Sequence, residues 1–311
     1  MLLLAGQGRA DQTFAGVLVA YALLAVSLDL VWGFAGILSL GHALYFGVGA
    51  YATALLATRL EIDGLVPLLA ASTLAGGISA ALIGMLLFLG KRQFPLIFVA
   101  MTTLAASYVA ETMASSWSAI GSDTGIPGVR PASFLALDLG GGRGRFLVSL
   151  GLVILVIIGL YGLLRSEMGL VLSGLRDAEG FLQASGFRTG RHKVALFAIS
   201  GATAGMAGSL YVANVGFVSP GAVGFQLSTL AVIWVLAGGL GHLFGAMYGA
   251  ALVEYATRYF TRTFVGWWEV VVGLLLLLVV LFFPGGLFGL RLRTATRTRR
   301  DGASADTGGA G

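Results

Sequence analysis

The run FAGVLVAYALLAVSLDLVWGFAGILSLGH, residues 14 to 42, decides the fold. From Phe14 to Trp32 it is apolar all round, with Ser27 and Asp29 standing out as polar exceptions. A helix that spans a bilayer needs about 20 such residues. A strand of a membrane barrel is about ten residues long and alternates in polarity, so the helix is the reading that fits. The next stretch, GFAGILSLGH at 33 to 42, interrupts the pattern and is too short to cross alone, so we read it as a re-entrant or unwound piece.

Working outward, comparable segments lie at Ala43 to Thr58, Leu65 to Leu89, Phe94 to Trp117, Phe146 to Leu164, Val194 to Asn214, Phe225 to Leu240, Leu243 to Phe260 and Trp267 to Phe283. With the first, these make nine candidates. The expected fold is therefore all-α: a polytopic integral membrane protein with about 8–10 transmembrane helices, some broken or re-entrant. Composition agrees. Of 311 residues, 57% are hydrophobic and 11% charged, against about 25% charged in an ordinary soluble domain. The 48 glycines suit helices packed backbone against backbone. No cysteine is present, which removes disulfides, thiolate metal sites and thiol chemistry.

Lys and Arg set the orientation. Alternating the loops back from the C-terminus puts Lys91, Arg92, Arg165, Arg176, Arg188, Arg191, Lys193 and five tail arginines on one side. The other receives Arg59, Arg130, Arg143, Arg145, Arg258 and Arg262; the richer side is expected to be cytoplasmic. The side of the N-terminus stays open. The net charge of +5 thus reports membrane topology and contact with lipid rather than nucleic acid. The transmembrane unit is expected over 1–290, with a periplasmic loop at 118–145, a cytoplasmic loop at 165–193, and a basic, disordered cytoplasmic tail at 291–311.

Several constellations carry chemistry. Between Gly33 and Gly49, five glycines together with Ser39 and His42 weaken a regular helix. Unwound backbone inside a membrane is tolerated where it lines a cavity or is buried in protein, and transporters use such breaks to meet substrate. Ser39, Gly41 and His42 are therefore pathway candidates, with close helix packing as the plain alternative. The pairs Gly201/Gly205 and Gly245/Gly249 read as packing. Asp29, Glu111, Glu254 and Glu269 are acids within or at the ends of apolar spans and call for partners or a wet cavity. Glu111 follows Thr102, Thr103 and Ser107 on one polar stripe, so Thr102 and Glu111 join the pathway candidates; an interhelical hydrogen bond is the plain reading of Glu111. The loop RSEMGLVLSGLRDAEGFLQASGFRTGRHK, residues 165 to 193, can form an amphipathic helix between Gly169 and Gly186, with Gly186 as its stop. Such a helix either docks into a partner's groove or rests on the membrane surface.

Catalytic readings lack the inventory. His42, His192 and His242 are far apart in sequence, which argues against a zinc site. No phosphate-binding loop is present, because Gly90-Lys91 is followed by Arg92. No catalytic residue, metal site or cofactor is expected, and ATP-driven transport would need another subunit.

GLRDAEGFLQASGF in this loop is similar to the coupling loop of the LivM-type permeases of the branched-chain amino acid ABC importer family. Arg176, Asp177, Glu179, Ala184 and Gly186 match the family pattern, while Gly180 and Phe181 depart from it. An interior glycine costs a helix about 1 kcal/mol relative to Ala, so the departure implies a less rigid coupling helix. WGFAGILSLGHALYFGVGAY (32–51), GSDTGIPGV (121–129), GFVSP (216–220), VLAGGLG (235–241) and LFFPGGLFGL (281–290) resemble the same family, in its order. The resemblance implies ATP-binding cassette ATPase subunits, a second homologous permease and a periplasmic solute-binding protein as partners. It implies Arg176, Asp177, Glu179, Ala184 and Gly186 as the coupling residues, in a multi-pass protein of the bacterial inner membrane. Branched-chain amino acids lead as substrate, followed by urea, short amides and aromatic acids. Two other classes compete: an ion-coupled secondary transporter using acids such as Glu111, and a membrane-embedded enzyme, which the inventory disfavours.

Topology is testable because the chain is free of cysteine. Cysteines placed at Ser173 and Ser185 should resist a membrane-impermeant thiol reagent in whole cells and react after permeabilisation. Labelling from outside intact cells would reverse the orientation.

Overall fold

The computed structural model describes residues 9–90, 95–129 and 142–263, with Gly273. Ten helices follow in chain order: α1 (Arg9–Trp32), α2 (Ala43–Arg59), α3 (Leu65–Phe88), α4 (Leu96–Ser116), α5 (Gly142–Arg165), α6 (Glu167–Asp177), α7 (Glu179–Ala184), α8 (Thr189–Val215), α9 (Phe225–Gly238) and α10 (Leu243–Thr263). Two short strands, β1 (Ile126–Pro127) and β2 (Phe217–Val218), pair antiparallel. The fold is all-α. Six helical segments are long and apolar enough to cross a membrane: Asp11–Trp32, Leu65–Phe88, Leu96–Ser116, Arg143–Arg165, Thr189–Val215 and Pro220–Gly238.

Helices thus stand at eight of the nine expected places. The two outside the set of six have physical reasons. α2 has 17 residues, short of the roughly 20 that cross a bilayer, because it begins only after the break. α10 carries Glu254, Arg258 and Arg262 among its apolar residues. The ninth expected span, Trp267 to Phe283, lies outside the described residues, as do Glu269, Lys91, Arg92, Arg130, the motif at 281–290 and the tail at 291–311.

α8 is the packing axis, and glycine is why. Lipid is as apolar as leucine, so membrane helices associate through close contact rather than through the hydrophobic effect. A Cβ on Gly205 would run into the Ser72 carbonyl of α3, and one on Gly49 of α2 would run into Gly205. Gly76 of α3 meets both Gly201 and Gly205, and Gly208 lies against the Phe46 carbonyl of α2. The Gly245/Gly249 pair does the same for α10 against α9, at Gly238 and the Trp234 carbonyl. The outer surface is apolar in the way lipid requires: Leu74, Ile78, Leu82 and Leu86 form an exposed stripe on α3, and Leu147, Ile154 and Ile158 face outward on α5.

The bundle has two distinct ends. One carries α6, α7 and the α9–α10 turn. The other carries the β1–β2 pair, the Arg59 guanidinium on the Ala119 carbonyl, and the Asp11–Arg258 ion pair at 2.6 Å. Asp11 and Arg258 therefore share an end, which places the start of α1 opposite the α6–α7 loop.

The glycine contacts make a sharp stability prediction. Gly205→Val pushes two helices off α8 and should cost about 1–3 kcal/mol of overpacking strain, read as a lower melting temperature of the purified protein. Gly162→Ala on α5, where an added Cβ meets nothing within 4 Å, should leave the melting temperature unchanged or raised. Equal stability of the two variants would contradict the packing role.

Candidate translocation break and coupling loop

Between α1 and α2, residues 33 to 42 are not helical. The helix loosens at its end: both Gly33 N–H and Phe34 N–H donate to the Asp29 carbonyl, at 2.7 and 3.1 Å. Gly36, at φ 73°, turns the chain through a left-handed conformation that favours glycine. From there an extended segment runs back into the bundle, alternating between buried and half-buried positions.

The freed backbone groups find partners on other helices. Leu40 N–H donates to Thr103 Oγ1 at 3.1 Å, and Ala43 N–H, which opens α2, donates to Ser228 Oγ at 3.0 Å. Gly41 lies so close to α4 that a Cβ would collide with the Thr103 carbonyl. His42 is 1% exposed, with Nε2 3.0 Å from Ser27 Oγ and 3.2 Å from Ser200 Oγ. Both serine hydroxyls already donate to carbonyls, Ser27 to Leu24 and Ser200 to Ser27. Their protons are thereby used, which assigns the Nε2–H tautomer to His42 as donor to the serine oxygens. His42 Nδ1 and Ser39 Oγ are buried and without partners among the described residues.

Along α4, Thr103, Ser107 and Glu111 follow at four-residue intervals on one face. Each holds a piece of irregular backbone. Thr103 takes the Leu40 amide, the Ser107 hydroxyl donates to the Val223 carbonyl at 2.6 Å, and Glu111 Oε2 accepts from Phe225 N–H at 3.4 Å. Phe225 opens α9, whose N-cap is Gly224 and lacks a side-chain cap of its own. The Glu111 carboxylate thus sits at the positive end of α9. Thr102 is one step around the helix and partly exposed. Of the hydroxyl groups that hold the break, Thr103, Ser27, Ser200 and Ser228 are not among the pathway candidates named from sequence, whereas Thr102 is. The four-residue spacing from Thr103 to Glu111 was the available signal for the first.

The 165–193 loop differs from the single helix expected over Gly169 to Gly186. It forms α6 and α7, separated at Ala178 (φ −151°, ψ 51°). The bend lets Leu182 fold back onto Gly174, where any Cβ would crowd it. Ser166 caps α6, accepting from Met168 N–H at 3.3 Å, and Leu172 and Leu175 are buried. α7 closes with Phe187 N–H on the Leu182 carbonyl and Gly186 N–H on the Gln183 carbonyl, both at 3.0 Å, with Gly186 at φ 87°. That paired arrangement is the Schellman stop.

The five residues singled out in this loop do not share one direction. Glu179 turns toward the bundle and pairs with Lys193 of α8 at 2.5 Å. Arg176 donates to the Gly33 carbonyl. Asp177, Ala184 and Gly186 face outward, as do Phe181 and Phe187. Beside Gly186 a groove of about 740 Å³ is lined by Ser185, Phe187, Arg188, Arg191, His192 and Ala195. No group of three or more His, Cys, Asp or Glu side chains that could hold a metal ion occurs among the described residues.

Six helices long and apolar enough to cross a membrane define a multi-pass membrane protein. The chain belongs to the family of permease components of branched-chain amino acid transport systems, whose model matches residues 12–281. It is similar to the high-affinity branched-chain amino acid transport system permease protein LivM of Salmonella typhimurium, at 29% identity over 303 residues, covering 90% of this chain and 70% of the relative. LivM of Escherichia coli is 28% identical with the same coverage. The ribose import permease protein RbsC of Haemophilus influenzae is 28% identical over 242 residues, 75% of this chain and 72% of that one. No solved structure matches the chain.

The contact at the start of α9 separates two roles for Glu111. Glu111→Ala should lower the melting temperature by an amount corresponding to about 1 kcal/mol, whereas Glu111→Gln, which keeps a hydrogen-bond acceptor, should lose less. Unchanged stability in both variants, together with lost transport, would instead place Glu111 in the solute pathway.

Proposed function

We propose that this protein is the membrane-spanning subunit of an ATP-driven importer in the bacterial inner membrane. It moves branched-chain amino acids or a similar small polar solute inward, with its C-terminus in the cytoplasm. The observation that carries this reading is the α6–α7 loop, which ends on a Gly186 stop and presents Phe181 and Phe187 outward. Amphipathic surface of this kind suits insertion into a groove on another protein. The chain carries no nucleotide-binding loop, so the ATPase is a separate subunit that receives α7. Two such permeases, or this one and a homologue, enclose the pathway, and a periplasmic binding protein delivers the solute. The relatives named for branched-chain amino acids and for ribose support a small polar cargo, with the binding protein setting its identity.

Within the permease, the break at 33–42 lets backbone change partners without unravelling a whole span. Ser39, Gly41 and His42 lie where the segment meets α4 and α8, and this junction is the pathway element that opens or closes with the ATPase. Glu111 and Thr102 flank it on α4. Glu111 already occupies the start of α9, which weakens its use as a coupling acid for an ion-driven mechanism.

Gly186 tests the docking role cleanly, because an added Cβ there meets nothing within 4 Å and acts through backbone conformation alone. Gly186→Val should impose about 1–2 kcal/mol of strain, reducing co-purification of the ATPase and ATP-dependent uptake of leucine into proteoliposomes. Gly186→Asn, which tolerates the left-handed conformation, should retain both. Normal assembly and uptake in the valine variant would remove the docking assignment.

A further inference from the structure

Resting on the importer reading above, we propose that Arg176 is a positioning residue that ties the coupling loop to the membrane break, rather than a contact for the ATPase. Three regions far apart in sequence meet at its side chain. Its Nη1 donates to the Gly33 carbonyl, at the end of α1. Its stem crosses Gly36, where a Cβ would lie 3.4 Å from Arg176 Cγ. On the far side is Gly241 of the α9–α10 turn, where a Cβ would lie 3.3 Å from Nη1. Gly36 and Gly241 both have left-handed backbones, at φ 73° and 77°, so each supplies a turn and a gap at once. The guanidinium occupies the slot these glycines leave.

Electrostatics favour a cation in that slot. The last carbonyls of a helix lack partners inside it and carry the negative end of its dipole. Asp29 adds a carboxylate, which holds the third region in place: Oδ1 accepts from Gly241 N–H at 2.8 Å, while Oδ2 is buried without a partner among the described residues. Gly33 has no side chain because a Cβ there would overlap Asp29 and the Gly241 amide. Arginine's planar guanidinium carries its donors in a rigid fork, whereas lysine's ammonium is a compact point charge on a flexible stem.

The mechanical consequence follows from what is fixed on each side. Leu172 and Leu175 bury α6, so Arg176 moves with that helix. The far end of the break is held by Thr103, Ser228 and the His42 cluster. A displacement of the loop therefore acts on the 33–42 segment through the Gly33 carbonyl. Arg176 is 47% exposed along its side chain, with Nη1 on the Gly33 carbonyl and Nε 3.9 Å from Asp177 Oδ1; Phe181, 73% exposed, is left to meet a partner.

The test uses the assembled transporter carrying Leu38→Cys as the single thiol. The labelling rate of that thiol by N-ethylmaleimide is compared in the nucleotide-free and the ATP-plus-vanadate states. With Arg176 in place, the two states should label at different rates. In Arg176→Gln the ratio between states should fall to unity while the ATPase still co-purifies, because the segment no longer follows the loop, and Arg176→Lys should fall between. Arg176→Met, which keeps the stem over Gly36, is measured in parallel so that a folding defect in one variant does not decide the matter. An undiminished ratio in the Gln and Met variants overturns the proposal. So does loss of the ATPase from them, which would make Arg176 a docking residue, or a labelling rate at position 38 that ignores nucleotide even with Arg176 present. Absence of the ATPase from the Arg176 parent overturns the importer reading itself, and this role with it.

Discussion

A chain that stops being helical inside a bilayer must find a partner for every amide and carbonyl it frees, because hydrocarbon offers none. That constraint organises this protein. The segment from Gly33 to His42 meets α1 carbonyls at its start, Thr103 of α4 at Leu40 N–H and Arg176 at the Gly33 carbonyl, while the His42 ring meets Ser200 of α8 and Ala43 just beyond meets Ser228 of α9. Thr103 and Ser228 offer hydroxyls to backbone amides at the end of the break, and Ser200 offers one to the His42 ring. The glycines of α8 answer the same demand at one remove. By drawing α2 and α3 onto its surface, they keep Ser200 and its neighbours near the point where α2 begins.

The arrangement joins two properties that a permease needs together. The first amides of the break keep backbone carbonyls of α1 as partners, whereas Leu40 N–H and the Gly33 carbonyl are held by single side-chain hydrogen bonds, each worth about 0.5–3 kcal/mol. A regular helix offers no such exchangeable joints. One end of the break is gripped by Arg176 from a loop outside the hydrocarbon, and the other is anchored at mid-bundle by His42. In the importer reading, the ATPase works on α7, α6 moves with it, and the strain arrives at a segment built to change partners. The functional reading rests on membership in a family of transport permeases.

Much of this was legible in the residues before any coordinates. Apolar length gave the helices, glycine density located the break, and Gly186 marked the end of the loop helix. These signals are local, and periodicity reads them directly. What escaped was tertiary. Thr102 and Thr103 are equally polar neighbours, and only the approach of Leu40 distinguishes them. Arg176 and Asp177 sit side by side in one motif and pair at 3.9 Å, and nothing in that motif announces that the Arg176 guanidinium also fills a slot formed by glycines at 36 and 241. The kink at Ala178 depends on Leu182 finding Gly174, a pairing no helical period announces. An interhelical hydrogen bond is the plain reading of Glu111 from sequence, but its partner, the amide at the uncapped start of α9, is visible only in the fold.

The central claim is that Arg176 holds the membrane break by the Gly33 carbonyl. It is tested most directly by cryo-electron microscopy of the permease assembled with its ATPase, in nucleotide-free and ATP-trapped states. The expected result is an Arg176 guanidinium within hydrogen-bond distance of the Gly33 carbonyl in both states, with residues 33 to 42 displaced relative to α8 between them. An Arg176 side chain seated in the ATPase groove, with the Gly33 carbonyl bonded elsewhere or the break unmoved, would contradict it.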